Sequence, residues 1–254
     1  MRPLARLGPL GAALAALAVA TSPREALGYR PFDATDAAVA EPGELELELG
    51  PLGFLDDGSH RFLVAPDLIL NLGLTEGWEI VAQGRHLRLL GGHAGEPRSR
   101  LTNTGFFLKG VLRPGSMQGR SGPSVATELG VLLPTVGDAP GTGVSATAIV
   151  SQRWSFGAVH LNASAAVSRA QNADLFGGVI LEGPHTWRAR PVAEVFVERE
   201  VHGSRTFSWL TGVIGRVRDD LAVDAGVRVA SVDGVLAREV RAGLTWAIPT
   251  WKPR

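Results

Sequence analysis

Apolar and polar residues alternate along most of this chain, and this alternation constrains the fold more than any other feature. Leu45, Leu47 and Leu49 interleave with glutamates, and the even-numbered apolar residues from Phe62 to Leu74 form a second apolar face. Successive side chains of a β-strand point to opposite faces, so each such segment predicts a strand with one apolar and one polar face. About twelve segments follow this pattern, at residues 43–53, 61–74, 78–89, 102–112, 123–133, 143–154, 158–169, 173–182, 190–201, 206–217, 221–231 and 235–248.

The length of these segments separates a membrane barrel from a soluble sandwich. Strands of soluble proteins average about 5–6 residues, whereas tilted strands that span a bilayer need about 9–11. The segments contain ten to fourteen residues, and no apolar stretch long enough for a membrane-spanning helix occurs among them. The pattern is least clear at 206–217, where Trp209 and Val213 compete with Leu210 and Ile214 for the apolar face. We predict an all-β fold, an antiparallel transmembrane β-barrel of about twelve strands.

The connections between the segments indicate an orientation. The second, sixth and tenth connections, at 75–77, 155–157 and 218–220, are short, whereas the third and fifth are longer and rich in glycine and proline. Outer-membrane barrels have short periplasmic turns and longer outer loops. An even number of strands therefore places both termini and the even-numbered turns in the periplasm, with the long fourth connection at 113–122 as an exception.

Tryptophan positions agree with this orientation. Indole rings prefer the boundary between headgroups and hydrocarbon, which gives membrane barrels their aromatic girdles. Trp209 lies away from the even-numbered connections, but the other five tryptophans lie beside them or close the last strand. The sequence predicts a periplasmic aromatic girdle made of Trp78, Trp154, Trp187, Trp246 and Trp251.

The first 42 residues precede the predicted barrel of residues 43–254. Residues 1–20 combine two arginines, an apolar run from residue 7 and the small-residue pattern Ala18-Val19-Ala20, which predicts a cleaved signal peptide. That run would rise only about 21 Å as a helix, less than the ~30 Å hydrocarbon core, so it does not predict a retained anchor. Residues 21–42 predict an extended N-terminal segment that could plug the barrel. The expected location is the cell outer membrane, after export and cleavage.

Composition excludes several function classes. The chain has no cysteine, which excludes a disulfide scaffold, a thiol nucleophile and a zinc ribbon. Its formal net charge of zero argues against a strongly basic nucleic-acid binder.

Of its 32 glycines, several fall inside predicted strands, where they allow bending and close contact with a plug or ligand. These are Gly73, Gly84, Gly105, Gly130, Gly226 and Gly243.

Many charged residues fall on the polar faces, which we predict line the barrel interior. Buried charges must be paired or hydrated. The set therefore forms either an internal salt-bridge lattice that fills the barrel or the lining of a permeation path, and the sequence leaves both open. Its members are Glu44, Glu46, Glu48, Asp67, Glu79, Arg85, Glu128, Arg153, Glu194, Glu198, Asp224, Arg228, Glu239 and Arg241.

Catalytic and metal-binding patterns are weak. His160, Asn162 and Ser164 share one face of one predicted strand, but His160 and Ser164 would be about 13 Å apart, too far for a nucleophile–base hydrogen bond. The six histidines show none of the spacings typical of zinc sites. We predict that the protein is not an enzyme and has no cofactor or metal.

Two motifs near the N-terminus resemble a known family. The run Arg30-Pro31-Phe32-Asp33-Ala34-Thr35-Asp36-Ala37 and the following Glu41-Pro42-Gly43-Glu44-Leu45-Glu46-Leu47 are similar to the outer-membrane barrels grouped with the meta-pathway of phenol degradation, a transporter-like family. The resemblance covers about 50 residues in motif and implies a barrel of this size that passes hydrophobic or aromatic compounds. It implies no catalytic residues. The chain departs from the usual terminal aromatic residue of such barrels, since it ends in Lys252-Pro253-Arg254.

These observations lead to one expected function and two alternatives. We expect an outer-membrane β-barrel that passes a small solute, with hydrophobic and aromatic compounds as candidates, without chemical conversion. The alternatives are a soluble exported β-barrel that binds an apolar ligand and a structural envelope barrel. The expected partners are outer-membrane lipid, the barrel-assembly machinery and a small-molecule solute, and no nucleic acid is expected.

Overall fold

Twelve antiparallel strands close into a barrel in the computed structural model, which describes residues 30–91, 96–137 and 139–251. The predicted signal peptide and residues 21–29 lie outside the described residues. Each strand pairs with its neighbours in the chain, and β1 also pairs with β12, so the sheet has no free edge. Within the described ranges, no helix is long and apolar enough to cross a membrane.

The strands have the following bounds: β1 (Glu44–Asp56), β2 (Arg61–Thr75), β3 (Trp78–Leu89), β4 (Ser99–Arg113), β5 (Ser124–Leu132), β6 (Gly143–Trp154), β7 (Gly157–Val167), β8 (Ala173–Glu182), β9 (Ala189–Glu200), β10 (Arg205–Arg218), β11 (Leu221–Val232) and β12 (Val235–Pro249). A short 3₁₀ turn, Ser116–Gln118, lies between β4 and β5. The predicted all-β fold and the twelve-stranded antiparallel barrel are confirmed. The largest differences in bounds are at β1, which continues to Asp56, and β4, which begins at Ser99.

The two rims of the barrel differ. We call the rim where β1 begins and β12 ends the terminal end, and the opposite rim the loop end. Three connections at the terminal end contain two residues each, at 76–77, 155–156 and 219–220. The connection that carries the 3₁₀ turn is the long exception, as the sequence predicts. The two longest loop-end connections are 90–98 and 133–142.

The outer wall is apolar and the interior carries the charges. On the outside, Leu112 is 62% exposed and Leu52 is 59% exposed, and leucine, valine and phenylalanine recur around the wall. Inside, Glu194 is 1% exposed and Glu239 is 2% exposed. This polarity is the reverse of a water-soluble barrel with an apolar pocket, and an apolar band of this kind is typical of barrels that sit in lipid.

One face assignment from the sequence is wrong. The alternation groups Phe62 and Val64 with the outward leucines of β2, but both are buried and pack inside against Leu87. A register shift between Val64 and Asp67 reverses the phase of the strand. Beyond the shift, Asn71 faces inward, so one strand contributes apolar side chains to both faces.

The unclear face of β10 is also resolved. Trp209 and Val213 are exposed on the outside, whereas Leu210 and Ile214 are 1% and 4% exposed inside the barrel. The inward pair packs against Phe32 of the N-terminal segment. Both sides of β10 are apolar because one belongs to the outer wall and the other packs against the N-terminal segment.

Candidate functional site in the barrel lumen

Residues 30–42, which we call the luminal segment, lie inside the barrel and contact its wall on several sides. The first contact is made by Arg30, which is 5% exposed. Its guanidinium is 3.1 Å from the Asp67 carboxylate of β2 and 3.6 Å from that of Asp224 in β11. Gly50 and Gly243 make room for it, since a Cβ at either position would overlap the Arg30 side chain. Arg30 therefore bridges β2 and β11, which flank the paired strands β1 and β12.

A cluster of alternating charges holds the next residues of the luminal segment. Arg241 donates to the Pro31 carbonyl at 2.6 Å, to Asp33 at 2.9 Å and to Glu239 at 2.9 Å. Arg228 lies 3.2 Å from Asp33 and 3.5 Å from Glu239. Burial alone would raise the pKa of the Asp33 carboxyl, but Arg241 and Arg228 outweigh it and lower that pKa to about 2. Asp33 is thus held as an anion among cations of the wall.

Arg85 of β3 completes this cluster. Its guanidinium pairs with Glu239 in a short contact and lies 4.0 Å from Asp67. Each buried charge of the cluster therefore faces at least one opposite charge, which is the condition for keeping ions inside a protein.

Side chains of the wall also form hydrogen bonds with the backbone of the luminal segment. Side-chain oxygens of four strands accept its N–H groups, with donor–acceptor distances between 2.6 and 3.3 Å. The pairs are Glu194 with Asp33 and Ala34, Asn162 with Thr35, Ser151 with Ala37, and Glu79 with Ala40. Five N–H groups of a segment without regular structure thereby have acceptors, as buried N–H groups require.

Apolar contacts position the same segment. Phe32 and Ala34 pack with Ile180, Leu210 and other inward residues of β8 to β11. Ala37, which is fully buried, packs with Ala126 and Ile149 of β5 and β6. The lumen is therefore not a uniform polar surface, because its apolar patches match the apolar residues of the segment.

Lys109 of β4 is the cation at the middle of the segment, and the sequence reasoning missed it. Its Nζ is 3.3 Å from Glu79, 3.5 Å from Asp36 and 3.2 Å from the Thr35 hydroxyl. The alternation of β4 indicates that Lys109 shares a face with Phe107, and this signal could have placed it inside. Arg30 was missed as a lumen group because it precedes the first strand.

A cavity of about 290 Å³ remains between the luminal segment and the loop end. Phe32, Phe107 and Phe176 contribute aromatic rings to its lining, whereas Glu128, Asp174 and Glu198 are among its carboxylates. Gly105 and Gly130 allow the Phe107 ring to lie against the wall, since a Cβ on either would overlap it. The volume is close to the lower end of the range of small-molecule sites, about 300–1,000 Å³.

Much less space remains beside the middle of the segment. A cavity of about 30 Å³ lies between residues 35–40 and the wall formed by β1 to β4. This is room for about one water molecule. An organic solute does not fit into this space.

The predicted lumen set falls into groups. Asp67, Arg85, Asp224, Arg228, Glu239 and Arg241 come together around Arg30 and Asp33, while Glu48 and Glu79 line the small cavity with Lys109. Glu194 binds the segment backbone, whereas Glu128 and Glu198 line the large cavity. Glu44 and Glu46 are buried at the terminal end of β1, and Arg153 lies near the same end on β6.

Five of the six tryptophans lie at the terminal end. Trp209 is on the loop half of β10, and the others lie at the terminal end with 40–55% exposure. They are Trp78, Trp154, Trp187, Trp246 and Trp251.

A serine–histidine–glutamate chain occurs in the wall, but with partners other than those the sequence suggested. His160 is 2.8 Å from the Ser151 hydroxyl and 3.1 Å from Glu182, whereas Ser164 bonds to Thr147. Ser151 and His160 are fully buried, and the Ser151 hydroxyl also accepts the N–H of the luminal segment. The chain therefore serves as a docking contact in this state. In the described part of the chain, no three potential metal ligands cluster.

Comparisons with known proteins bear on the fold. No family model and no curated protein sequence matches the chain. Among solved structures, the COG4313 outer membrane channel from Pseudomonas putida F1 matches with a TM-score of 0.59 and 9% identity, over 85% of this chain and 100% of that one. The chain has the fold of outer-membrane channels. The KdgM porin gives the same result, with a TM-score of 0.52 and 8% identity over 81% of this chain and 99% of that one.

Gly73 of β2 offers a test of how tightly the segment fits. A Cβ at this position would overlap the carbonyl oxygens of Ala40 and Glu41, which are backbone atoms and cannot turn aside. We expect Gly73→Ala to destabilise the barrel by about 1–3 kcal/mol through overpacking. The measurement is urea unfolding of the refolded protein, followed by tryptophan fluorescence.

Gly177→Ala is the matched control, because its Cβ would meet nothing nearer than Val197 at 4.0 Å. It should leave the unfolding midpoint nearly unchanged. Equal midpoints for the two variants would show that the segment is not held at Gly73.

Proposed function

We propose that this protein is an outer-membrane channel that passes a small solute without chemical conversion, and that the luminal segment closes it in the state described here. One observation carries the proposal: an apolar outer wall encloses a charged lumen that the chain's own N-terminal segment occupies. The fold shared with outer-membrane channels supports the location. The proposed partners in that membrane are its lipids and the barrel-assembly machinery.

The nature of the solute is proposed from the lining of the 290 Å³ cavity. Three aromatic rings favour a solute with an aromatic or apolar body. The carboxylates of Glu128, Asp174 and Glu198 outnumber the one lysine of the lining, Lys109, and therefore favour a cation over an anion. The resemblance of residues 30–47 to the meta-pathway barrels supports membership of that family as part of the same proposal.

The alternatives have less support. A soluble barrel would expose its apolar outer wall to water, which is unfavourable over so large an area. A structural barrel needs no cavity lined by rings and carboxylates. For catalysis, the Ser151 hydroxyl would have to reach a substrate, yet it is fully buried and does not line the cavity.

Solute entry into liposomes tests the proposal. The full chain is refolded into phosphatidylcholine liposomes, and swelling is followed with benzylamine, phenol and benzoate as aromatic probes of positive, neutral and negative charge. We expect swelling with benzylamine at least about tenfold faster than with benzoate, because the carboxylates repel an anion inside a low-dielectric wall. Liposomes without protein are the control.

Two results would count against the proposal. If benzoate entered as fast as benzylamine, the proposed preference for cations would be wrong. If none of the probes entered faster than into empty liposomes, and planar bilayers showed no conductance, the protein would not be a channel for small solutes.

A further inference from the structure

Two arginines face each other on the outer wall near the loop end. The register pairs Arg205 of β10 directly with Arg199 of β9. Both are exposed and share the outward phase of Val197 and Phe207, which are each 50% exposed. Directly opposed side chains in an antiparallel pair have Cβ atoms about 4.5–5.5 Å apart, and like charges at such positions destabilise the sheet.

Within the described residues, neither guanidinium has an anionic partner. Asp233, in the turn between β11 and β12, accepts the backbone N–H of Arg205 at 2.9 Å and forms no ion pair with its side chain. Glu200 accepts hydrogen bonds from Ser168 and Asn172 of the connection between β7 and β8. The two positive charges therefore remain available to a ligand on the outer surface.

On the outer wall, the surface next to the arginines in the direction of the terminal end is apolar. Val197 and Phe207 form the next outward row, and Val195 and Trp209 form the one after it, with exposures of 46% and 47%. The arginine pair thus lies at the upper edge of the apolar band, where headgroups meet hydrocarbon. A ligand that fits has an anionic head for the guanidiniums and acyl chains for the wall beneath.

We propose that Arg199 and Arg205 bind a phosphate group of lipid A, the phosphorylated glycolipid of the outer leaflet. Paired guanidiniums match the geometry of a phosphate and hold it with charge-assisted hydrogen bonds. The choice of lipid A rests on the proposed function, which places the barrel in the outer membrane, and on the orientation predicted from the short and long connections, which places the loop end at the outer leaflet. The acyl chains lie against Phe207 and Trp209, and the phosphate relieves the repulsion between the two arginines.

Binding of lipid A to the full chain in mild detergent, measured by native mass spectrometry, tests this site. We expect Arg199→Gln with Arg205→Gln to weaken binding at least about tenfold, and the double lysine variant to retain part of it, since it keeps the charge. The matched control replaces two exposed arginines at the terminal end, Arg113 and Arg218, by glutamine, and it should bind as the unmodified protein does. Heat-dependent gel mobility verifies that each variant is folded.

Two outcomes would overturn the site: equal lipid A binding by the Arg199/Arg205 glutamine variant, or phosphatidylglycerol binding as tight as that of lipid A. Conductance in phosphatidylcholine bilayers separates this proposal from the channel proposal. The glutamine variant should conduct there as the unmodified protein does, because the arginines lie outside the lumen. Absence of conductance in both would contradict the channel and leave the lipid measurement valid on its own.

Discussion

Replacement of Arg241 by methionine should destabilise the barrel by about 3–5 kcal/mol, the usual effect of breaking a buried ion pair. Arg241 is 6% exposed and donates to Glu239, to Asp33 and to the Pro31 carbonyl. Without it, the buried carboxylate of Glu239 and the partly exposed carboxylate of Asp33 lose their shared cation, and a carbonyl of the luminal segment loses its donor. Urea unfolding of the refolded protein, monitored by tryptophan fluorescence, measures the change.

Arg218→Met is the control, since Arg218 pairs with Asp220 at the surface, where its side chain is 58% exposed. Exposed pairs contribute about 0–1 kcal/mol, so its unfolding midpoint should move little. A double-mutant cycle with Asp33→Asn isolates the contact with the luminal segment. Additive effects of Arg241→Met and Asp33→Asn would contradict the pairing described here.

The strands could be predicted from the sequence because each carries its own signal. Alternation repeats locally in every strand, and turns such as the one before Trp78 interrupt it visibly. The alternation assigns Phe62 and Val64 to the wrong face, because the register shift of β2 reverses which positions point inward. The shift leaves no break in the run of apolar residues that would reveal it. The Ala65-Pro66 step at this shift is the available signal, since proline within a sheet marks a bulge or an edge.

The lumen contacts could be predicted only in part. Alternation indicates that Glu79 and Glu194 point inward, but it does not indicate what each one meets. Their partners are backbone groups of Ala40 and Ala34, which are distant in sequence and belong to a segment without periodicity. The inward position of Leu210 in β10 could not be predicted for the same reason, since its partner Phe32 lies far away in the chain.

The glycines inside the strands differ in role, and only the structure distinguishes those that give clearance from those that do not. The sequence predicts that strand glycines provide bending or clearance. At Gly226 and Gly243 the clearance is for Pro31 and Arg30 of the luminal segment. Around Gly84, by contrast, the nearest atom to an added Cβ is 3.7 Å away, so no close contact requires glycine there.

Tethering the luminal segment to the wall should abolish conduction. Ala37 of the segment and Ala126 of β5 belong to one apolar cluster, and both are buried. The chain contains no cysteine, so Ala37→Cys with Ala126→Cys creates the two thiols needed and no others. If solutes pass only when the segment leaves, passage depends on a minor open state, populated at about 0.1–10% in proteins with two conformations. The disulfide removes that state, and we expect the time-averaged conductance in planar bilayers to fall at least about tenfold on oxidation.

The matched control places the same bond within the wall. Ala126 and Ile149 are direct partners of β5 and β6, so Ala126→Cys with Ile149→Cys joins two strands and leaves the segment free. Oxidation should not change its conductance, and a thiol reductant should restore that of the tethered variant. Mass spectrometry verifies each disulfide. Unchanged conductance while the disulfide between the segment and β5 is intact would show that solutes pass beside a docked segment, and the luminal segment would then line the path instead of closing it.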